Sequence, residues 1–288
     1  MRLLARSPLS RISRERRGPP AQRVGGEGLF RRLGKTLTPQ AFGLGPPSPA
    51  KSGRGRTTLL PLAALLVVAA APAPQTLELV DAPRGRPVPV ALYGATPGKP
   101  KLLALISHGY GGTNRAYSFV AEDLVKRGYV VASVQHELEG DAPMPTVGEP
   151  AVVRRPWWDR GAANLLFVIR EMRARNIANR RPVLLVGHSN GGDSSMLLAA
   201  QHAATVGTVF TLDNRRMRMP RTARPRICSV RSSDQPADTG VLPTAAEQRR
   251  YRMVIGTVPG LIHNDMWDGA TAAQKQAMLG WLRRCLGR

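Results

Sequence analysis

The sequence predicts an α/β fold with a mostly parallel central sheet and helices on both faces. From residue 75 onward, apolar runs of strand length alternate with segments of helical periodicity, a pattern typical of parallel sheets with right-handed crossovers. Two of the runs, 102–107 and 183–186, are continuously apolar, as expected for strands buried on both faces. The chain has 288 residues, of which 42% are hydrophobic, enough for a sizeable core. Without an internal repeat, residues 75–288 are predicted to form one domain.

Two segments of different composition precede this domain. Residues 1–56 contain 13 lysines and arginines against 2 acidic residues and lack apolar periodicity, which predicts a basic disordered leader. Residues 57–74 follow a basic flank with a short apolar stretch and an exit of small residues, the plan of a secretory signal peptide. Because signal peptides start near their basic flank, the true start is expected downstream of Met1. We therefore expect an exported protein, periplasmic or secreted, with a membrane anchor over residues 57–74 as the alternative.

The first half of the domain is predicted to contain four strands and one helix. The strands are expected at 77–80, 88–93, 102–107 and 129–134, and the helix at 117–127. Pro89 lies within the second run, and because proline has no N–H for a ladder hydrogen bond, that run is expected to be an edge strand.

Residues 137–158 are predicted to be an irregular connection. They are polar and rich in proline, and a connection of this length within a compact domain is typical of a functional rim or lid. Trp157 and Trp158 close it, either lining a substrate pocket or packing into the core. The second half of the domain then continues the alternation, with helices at 159–177, 191–204 and 271–286 and strands at 183–186, 208–212, 227–230 and 251–258.

A nucleophile motif follows the buried strand 183–186. Gly187-His188-Ser189-Asn190-Gly191 has the G-x-S-x-G pattern, between a strand and a helix as the motif requires. Ser189 is predicted to lie at the apex of a strained turn, where glycines two residues away relieve the crowding because they carry no Cβ. The N–H groups that open the following helix point towards a developing oxyanion.

A serine nucleophile needs a base and an acid that orients it, and both are expected after the serine in chain order. His263 is the single histidine that follows both Ser189 and the last predicted strand. Three aspartates follow strands and could be the acid: Asp213, Asp234 and Asp238. The residues alone do not choose between them, since an aspartate after a strand is also a common turn cap.

The oxyanion hole is expected to combine two backbone N–H groups. Asn190 supplies one, and the glycine-rich loop 108–112, most directly through Tyr110, supplies the other. That loop lacks the glycine spacing of nucleotide sites, and no histidine, cysteine and carboxylate group has metal-ligand spacing. No cofactor or metal is therefore expected. Cys228 and Cys285, 57 residues apart, form either a bridge or two buried thiols.

Taken together, these motifs resemble the α/β-hydrolase superfamily, and within it the group of platelet-activating-factor acetylhydrolases and dienelactone hydrolases. The resemblance covers roughly residues 102–268 and rests on the following stretches: 107–112, 117–136, 187–192, 212–213 and 263–268. In the acetylhydrolases the acid belongs to a Leu-Asp pair after the elbow helix, which implies Asp213 and leaves Asp234 as the alternative. Residues 214–217 depart from that family's apolar pattern, so its phospholipid specificity is not carried over.

The sequence thus predicts an exported serine hydrolase that cleaves small carboxylic esters through an acyl-enzyme intermediate. An acyl-peptide or lactone hydrolase with the same triad is one alternative, and a catalytically silent binding protein of the same fold is another. The net charge of +23 is compatible with weak association with an anionic membrane surface. Nucleic-acid binding is not expected, because aromatic residues make up only 5% of the chain and do not interleave with the basic runs.

Overall fold

The structure, a computed structural model, describes residues 73–287. The predicted leader (1–56) and all but the last two residues of the predicted signal segment (57–74) lie outside the described residues. No helix within residues 73–287 combines the length and the apolar character needed to cross a membrane.

One eight-stranded sheet forms the centre of the described region. Its strands are β1 (Gln75–Asp81), β2 (Arg86–Tyr93), β3 (Leu102–Ser107), β4 (Tyr129–Val134), β5 (Val183–His188), β6 (Val206–Leu212), β7 (Arg226–Arg231) and β8 (Val254–Thr257). Their spatial order is β1-β2-β4-β3-β5-β6-β7-β8. The pairs β1–β2 and β2–β4 are antiparallel, and the other five pairs are parallel. The predicted mostly parallel sheet is therefore confirmed.

Six α-helices accompany the sheet within the described residues: α1 (Ser118–Lys126), α2 (Pro150–Val153), α3 (Arg155–Ala174), α4 (Ser189–Gln201), α5 (Ala245–Tyr251) and α6 (Ala272–Leu286). Helices α3 and α4 pack with one face of the sheet, and α1 and α6 pack with the other.

Alternation along the strands produces these two cores. In β3, Leu103 and Leu105 contribute to the core under α3 and α4, whereas Ala104 and Ile106 contribute to the core under α1 and α6. Because neighbouring side chains of a strand point to opposite faces, a strand covered on both sides must be apolar throughout. The strand that ends at the nucleophile motif, β5, is likewise buried at every position, which gives the residues at its carboxyl end a rigid support.

The expectation that Pro89 marks an edge strand is wrong. Strand β2 lies between β1 and β4, and β1 is the edge. Pairing of β2 with β4 starts only at Val90, and the Pro89 carbonyl accepts a hydrogen bond from the Gln135 N–H (2.9 Å). The N and O of one residue in an antiparallel strand face the same neighbour, so the missing N–H faces a position just beyond the end of the β2–β4 ladder.

The irregular connection predicted over 137–158 is shorter in the structure. Its last nine residues are largely helical, because α2 starts at Pro150 and α3 at Arg155. Prolines are accepted in a helix's first turn, where the N–H has no partner, and both helices have a proline there. Trp157 and Trp158 are consequently in α3, and Trp158 is only 1% exposed within the core.

Helix α5 is absent from the sequence prediction, which also placed the last strand at 251–258 instead of 254–257. A short-range signal for α5 was present. Thr244 caps the helix by accepting from the Glu247 N–H, and the Glu247 side chain accepts from the Thr244 N–H. This reciprocal capping box is readable as Thr-x-x-Glu.

Candidate active site

The turn between β5 and α4 presents Ser189 at the carboxyl edge of the sheet. Ser189 is the first residue of α4 and has a φ of +50°, a region that side chains other than glycine rarely occupy. Its two flanking glycines have no room for a Cβ. A Cβ at Gly187 would lie 2.5 Å from the Gly191 carbonyl oxygen, and one at Gly191 would lie 2.4 Å from that of Ser107. The G-x-S-x-G spacing is thus imposed by backbone packing around the serine.

Ser189, His263 and Asp213 come together in one hydrogen-bonded chain. The Ser189 hydroxyl lies 3.0 Å from His263 Nε2, and His263 Nδ1 lies 2.6 Å from Asp213 Oδ2. His263 is buried (5% exposed), Asp213 is fully buried, and Ser189 is partly exposed. With Nδ1–H donating to Asp213, Nε2 is free to accept the serine proton, which is the tautomer that a general base requires.

Asp234 and Asp238, the other acids considered, do not contact the His263 ring. Asp234 Oδ1 accepts a hydrogen bond from the His263 backbone N–H (2.8 Å), which fixes the loop that carries the histidine. Asp238 forms an ion pair with Arg216. Among the three aspartates, only Asp213 reaches the imidazole.

The two backbone donors expected for an oxyanion lie beside the serine. Asn190 is the second residue of α4, where an N–H has no intrahelical acceptor. Tyr110 follows β3 in the glycine-rich loop, and its N–H donates to no other described residue. Gly109 brings this loop against the elbow, since a Cβ at Gly109 would lie 3.4 Å from the Ser189 Cβ. Tyr110 and Asn190 line the same cavity as Ser189.

Comparisons with known proteins bear on the family and the fold of this chain. The sequence model of the family described as "Serine aminopeptidase, S33" matches residues 98–212, which include β3, the oxyanion loop and the elbow. Esterase 2 from Thermogutta terrifontis, phosphonylated by cyclosarin, superposes with a TM-score of 0.55 at 12% identity, over 75% of this chain and 94% of that chain. A ferulic acid esterase from Streptomyces cinnamoneus superposes with a TM-score of 0.52 at 21% identity, over 70% of this chain and 79% of that chain. No curated protein sequence matches the chain.

The described residues have the α/β-hydrolase fold, and residues 98–212 match the sequence model of a family of such hydrolases. The predicted resemblance to this superfamily is therefore confirmed, and the narrower resemblance to acetylhydrolases and dienelactone hydrolases stays a prediction. The family match and the fold together support a hydrolase.

The buried Asp213 carboxylate is held by two other side chains besides that of His263. The Ser232 hydroxyl donates to Asp213 Oδ2 (2.7 Å), and Arg231 Nη2 approaches Asp213 Oδ1 at 2.7 Å as an ion pair. Burial opposes ionisation of Asp213, but the hydrogen bond from His263, the charge of Arg231 and the bond from Ser232 hold its pKa below the usual value. Asp213 is therefore a carboxylate at neutral pH.

The role of Arg231 was not predicted from the sequence. Its side chain is 7% exposed, and besides the ion pair it donates from Nη1 to the Asn214 carbonyl (2.6 Å) and to Ser229 Oγ (3.3 Å). It thus ties the end of β7 to the turn after β6, where Asp213 has a φ of +56°. Arg231 thus holds the Asp213 carboxylate in place.

A second network joins the oxyanion loop to the histidine loop. The Gly109 N–H donates to the Tyr117 hydroxyl (3.3 Å), and that hydroxyl lies 2.7 Å from His188 Nδ1. His188 Nε2 lies 3.1 Å from the His263 carbonyl oxygen. One assignment of donors and acceptors satisfies all three contacts. The Tyr117 hydroxyl accepts from the Gly109 N–H and donates to His188 Nδ1, and the His188 Nε2–H donates to the His263 carbonyl oxygen. Burial and the nearby His263 ring lower the pKa of His188 to about 3, so this histidine is neutral and structural.

The segment predicted to be a rim forms one wall of the cavity beside Ser189. The Met144 N–H donates to the Tyr110 hydroxyl (2.9 Å), which attaches the segment to the oxyanion loop. The cavity has a volume of about 200 Å³ and is lined by Tyr110, Met144, Thr146, Arg154, Ser189, Asn190, Asp193, Arg215 and Arg216.

A disulfide joins Cys228 of β7 to Cys285 of α6, with a Cα–Cα distance of 6.0 Å. Both cysteines are buried in the core under α1 and α6. Of the two arrangements that the sequence left open, the structure has the bridge, which fastens the last helix to the sheet.

Proposed function

We propose that the protein is a serine esterase that cleaves carboxylic esters through an acyl-enzyme. The observation that carries this proposal is the continuous chain from Ser189 through His263 to Asp213, at an elbow that presents the serine to a cavity. Each member has the chemical property that its role needs. The serine is accessible, the histidine has the accepting nitrogen towards it, and the carboxylate is ionised and buried.

In the first half of the reaction, Ser189 Oγ attacks the ester carbonyl carbon while His263 Nε2 takes the hydroxyl proton. The carbonyl oxygen becomes an oxyanion, which accepts hydrogen bonds from the N–H groups of Tyr110 and Asn190. As the tetrahedral intermediate collapses, the carbon–oxygen bond to the alcohol breaks, and His263 gives its proton to the leaving alcohol.

In the second half, His263 takes a proton from water, and the hydroxide forms a bond to the acyl carbon. Collapse of the second intermediate breaks the bond to Ser189 Oγ, which recovers its proton from His263. One ester and one water become one acid and one alcohol, and the enzyme returns to its starting state. Asp213 stays ionised throughout and stabilises the imidazolium formed in each half.

The name of the matching family makes an aminopeptidase the second candidate. An aminopeptidase must hold a substrate's α-ammonium group close to the nucleophile. Three arginines, Arg154, Arg215 and Arg216, line the cavity beside Ser189, and their positive charges repel a cation. This charge favours an ester over a peptide with a free amino terminus.

The test is hydrolysis of p-nitrophenyl esters of increasing acyl length by the full-length chain, compared with aminoacyl p-nitroanilides. We expect turnover of esters, a loss in Ser189→Ala of at least about 10³-fold, and a loss in Asp213→Asn of similar order. Asp234→Asn is the matched control: its exposed side chain accepts from the His263 backbone N–H and the Gln235 side chain but does not reach the imidazole, so a much smaller effect is expected. Turnover of the anilides with inert esters would favour the aminopeptidase instead.

We also propose that the protein is exported. The Cys228–Cys285 disulfide supports this, because disulfides persist in oxidising compartments and are rare in the cytosol. The composition of residues 57–74 supports it independently. N-terminal sequencing of the protein from its producing cells tests the idea. A mature terminus near residue 75 is expected, and a product that starts at Met1 would contradict export by cleavage.

A further inference from the structure

The cavity beside Ser189 is lined by several basic side chains. Three arginines from two distant segments line it: Arg154 precedes α3, and Arg215 and Arg216 follow β6. Together with the elbow they enclose about 200 Å³ next to the serine hydroxyl. A volume of this size accommodates a short substituent of a substrate.

Two of the three guanidinium groups have no carboxylate partner among residues 73–287. Arg154 and Arg215 form no ion pair with a described residue, whereas Arg216 pairs with Asp238. The Nε–H groups of all three arginines are buried and donate to no acceptor within the described part of the chain. Buried donors of this kind cost free energy unless a partner satisfies them.

The single carboxylate that lines the cavity is already engaged. Asp193 Oδ1 accepts hydrogen bonds from the backbone N–H groups of Arg216 (3.1 Å) and Met217 (2.8 Å), so it anchors the arginine loop. Burial raises the pKa of Asp193 to about 6, so at pH 7 it supplies one negative charge against the three arginines. The three guanidinium groups stay protonated in proteins. The cavity therefore carries a net positive charge.

Like charges lie close together here. Burial and the positive charge of Arg216 lower the pKa of Arg215, the carboxylates of Asp213 and Asp193 partly offset this, and the charge of Arg154 adds to the lowering. An arrangement that concentrates unpaired guanidinium groups beside a nucleophile is stabilised when an anion enters, because Arg binds carboxylates with paired N–H donors.

We propose that the cavity is an anion subsite and that the preferred substrates are esters bearing a carboxylate a few bonds from the scissile carbonyl. This proposal rests on the esterase function. Arg154 and Arg215 bind the carboxylate. Arg216 attracts it more weakly, because its ion pair with Asp238 already offsets its charge. A separate cavity of about 360 Å³ shares Tyr110 with this one and is also lined by Tyr117 and Trp267 among others, so it offers room for the rest of the ester.

The test compares matched pairs of esters on the full-length chain. For the acyl side, the pair is p-nitrophenyl hydrogen glutarate and p-nitrophenyl methyl glutarate. For the alcohol side, it is 4-carboxyphenyl butyrate and its methyl ester. In one of these two pairs we expect kcat/KM to be about 10- to 100-fold higher for the carboxylate ester than for its methyl ester. This ratio corresponds to the free energy of a charge-assisted hydrogen-bond pair.

Arginine variants assign that preference to the cavity. In Arg215→Gln and in Arg154→Gln the ratio within the preferred pair should fall by about tenfold or more. Arg218→Gln is the matched control, because it removes the same charge from an exposed position of the same loop, outside this cavity. An equal fall in Arg218→Gln would assign the preference to overall charge and overturn the proposal. Equal kcat/KM within both pairs, with esters hydrolysed, would also overturn it.

A binding measurement separates this proposal from the esterase function. Calorimetry of monomethyl glutarate with the Ser189→Ala variant should give saturable binding that Arg215→Gln abolishes and Arg218→Gln retains. If no ester is hydrolysed but this binding pattern holds, the anion subsite stands and the esterase function fails. If monomethyl glutarate does not bind, the subsite is refuted whether or not esters are hydrolysed.

Discussion

Replacing Arg231 by methionine should destabilise the protein through the carboxylate that it leaves behind. Asp213 is fully buried and Arg231 is 7% exposed, and their charged atoms are 2.7 Å apart. Methionine keeps the apolar volume of the stem but removes the charge. Breaking a buried ion pair from one side costs about 3–5 kcal/mol, because the remaining charge is uncompensated. For a folded region of this size, that lowers Tm by roughly 6–20 °C.

The assay is thermal and urea unfolding of wild type, Arg231→Met and the double variant Arg231→Met/Asp213→Asn. Asparagine removes the orphaned charge, so the double variant should be more stable than Arg231→Met alone. Arg226→Met is the control, since Arg226 lies in the same strand but is exposed, and its replacement should change stability by no more than about 0.5 kcal/mol.

The pH dependence of this effect has a definite sign. The pKa of Asp213 is depressed in the folded protein, so its ionisation contributes stability above its unfolded value of about 4 that is lost as the pH falls through the folded pKa. Without Arg231 the pKa of Asp213 rises, and protonation relieves the buried charge at a higher pH. The destabilisation of Arg231→Met should therefore shrink from pH 7 towards pH 4. If Arg231→Met lowered the free energy of unfolding by less than about 1 kcal/mol at pH 7, or if the double variant were no more stable than Arg231→Met, this reasoning would be refuted.

Three further predictions follow from other contacts. Burial raises the pKa of Glu137 to about 7, so the folded protein loses stability as the pH rises from about 4 to 7. In paired urea titrations, Glu137→Gln should be more stable than wild type at pH 8 but not at pH 4. A difference in unfolding free energy that does not change with pH would count against this prediction. Gly191→Ala should lower the free energy of unfolding by about 1–3 kcal/mol and remove most ester turnover, because its Cβ would meet backbone oxygens. Gly280→Ala in α6 has open space around it and should be neutral or stabilising. Equal effects of the two substitutions would contradict this prediction. Reduction of the Cys228–Cys285 bridge, which closes a loop of 57 residues, should cost about 4 kcal/mol in denaturant unfolding, and a Tm insensitive to reductant would argue against the bridge.

The parts of the site that the sequence revealed are those carried by short-range patterns. Ser189 and its flanking glycines occupy one turn, and the steric demand on that turn dictates the glycines. His263 could be predicted because chain order and strand position leave one histidine available. Choosing Asp213 required the family resemblance, because any aspartate at the end of a neighbouring strand satisfies the same local pattern. Only the spatial order of β6 and β7 and the turn at Asp213 decide which carboxylate reaches the imidazole.

The remaining features depend on contacts between distant parts of the chain. The link from Tyr117 to His188 spans 71 residues, and the ion pair of Arg231 depends on the turn after β6. Arg154 and Arg215 meet in one cavity although 61 positions separate them, and among 42 basic residues nothing in the sequence distinguishes these two. The predictions of an edge strand at Pro89 and of an irregular connection through residue 158 were wrong for the same reason. A proline is acceptable wherever its missing N–H has no partner to lose, and tertiary context decides where that is.

The most direct test of the central claim is to identify the residue that a fluorophosphonate labels in the native protein. Such reagents phosphonylate a serine that a neighbouring base activates, and they leave ordinary serine hydroxyls unmodified. Peptide mass spectrometry of the full-length chain should place a single adduct on Ser189, absent after unfolding before labelling and strongly slowed in Asp213→Asn. An unlabelled Ser189 in the folded protein, or equal labelling of several serines, would contradict the proposed serine hydrolase.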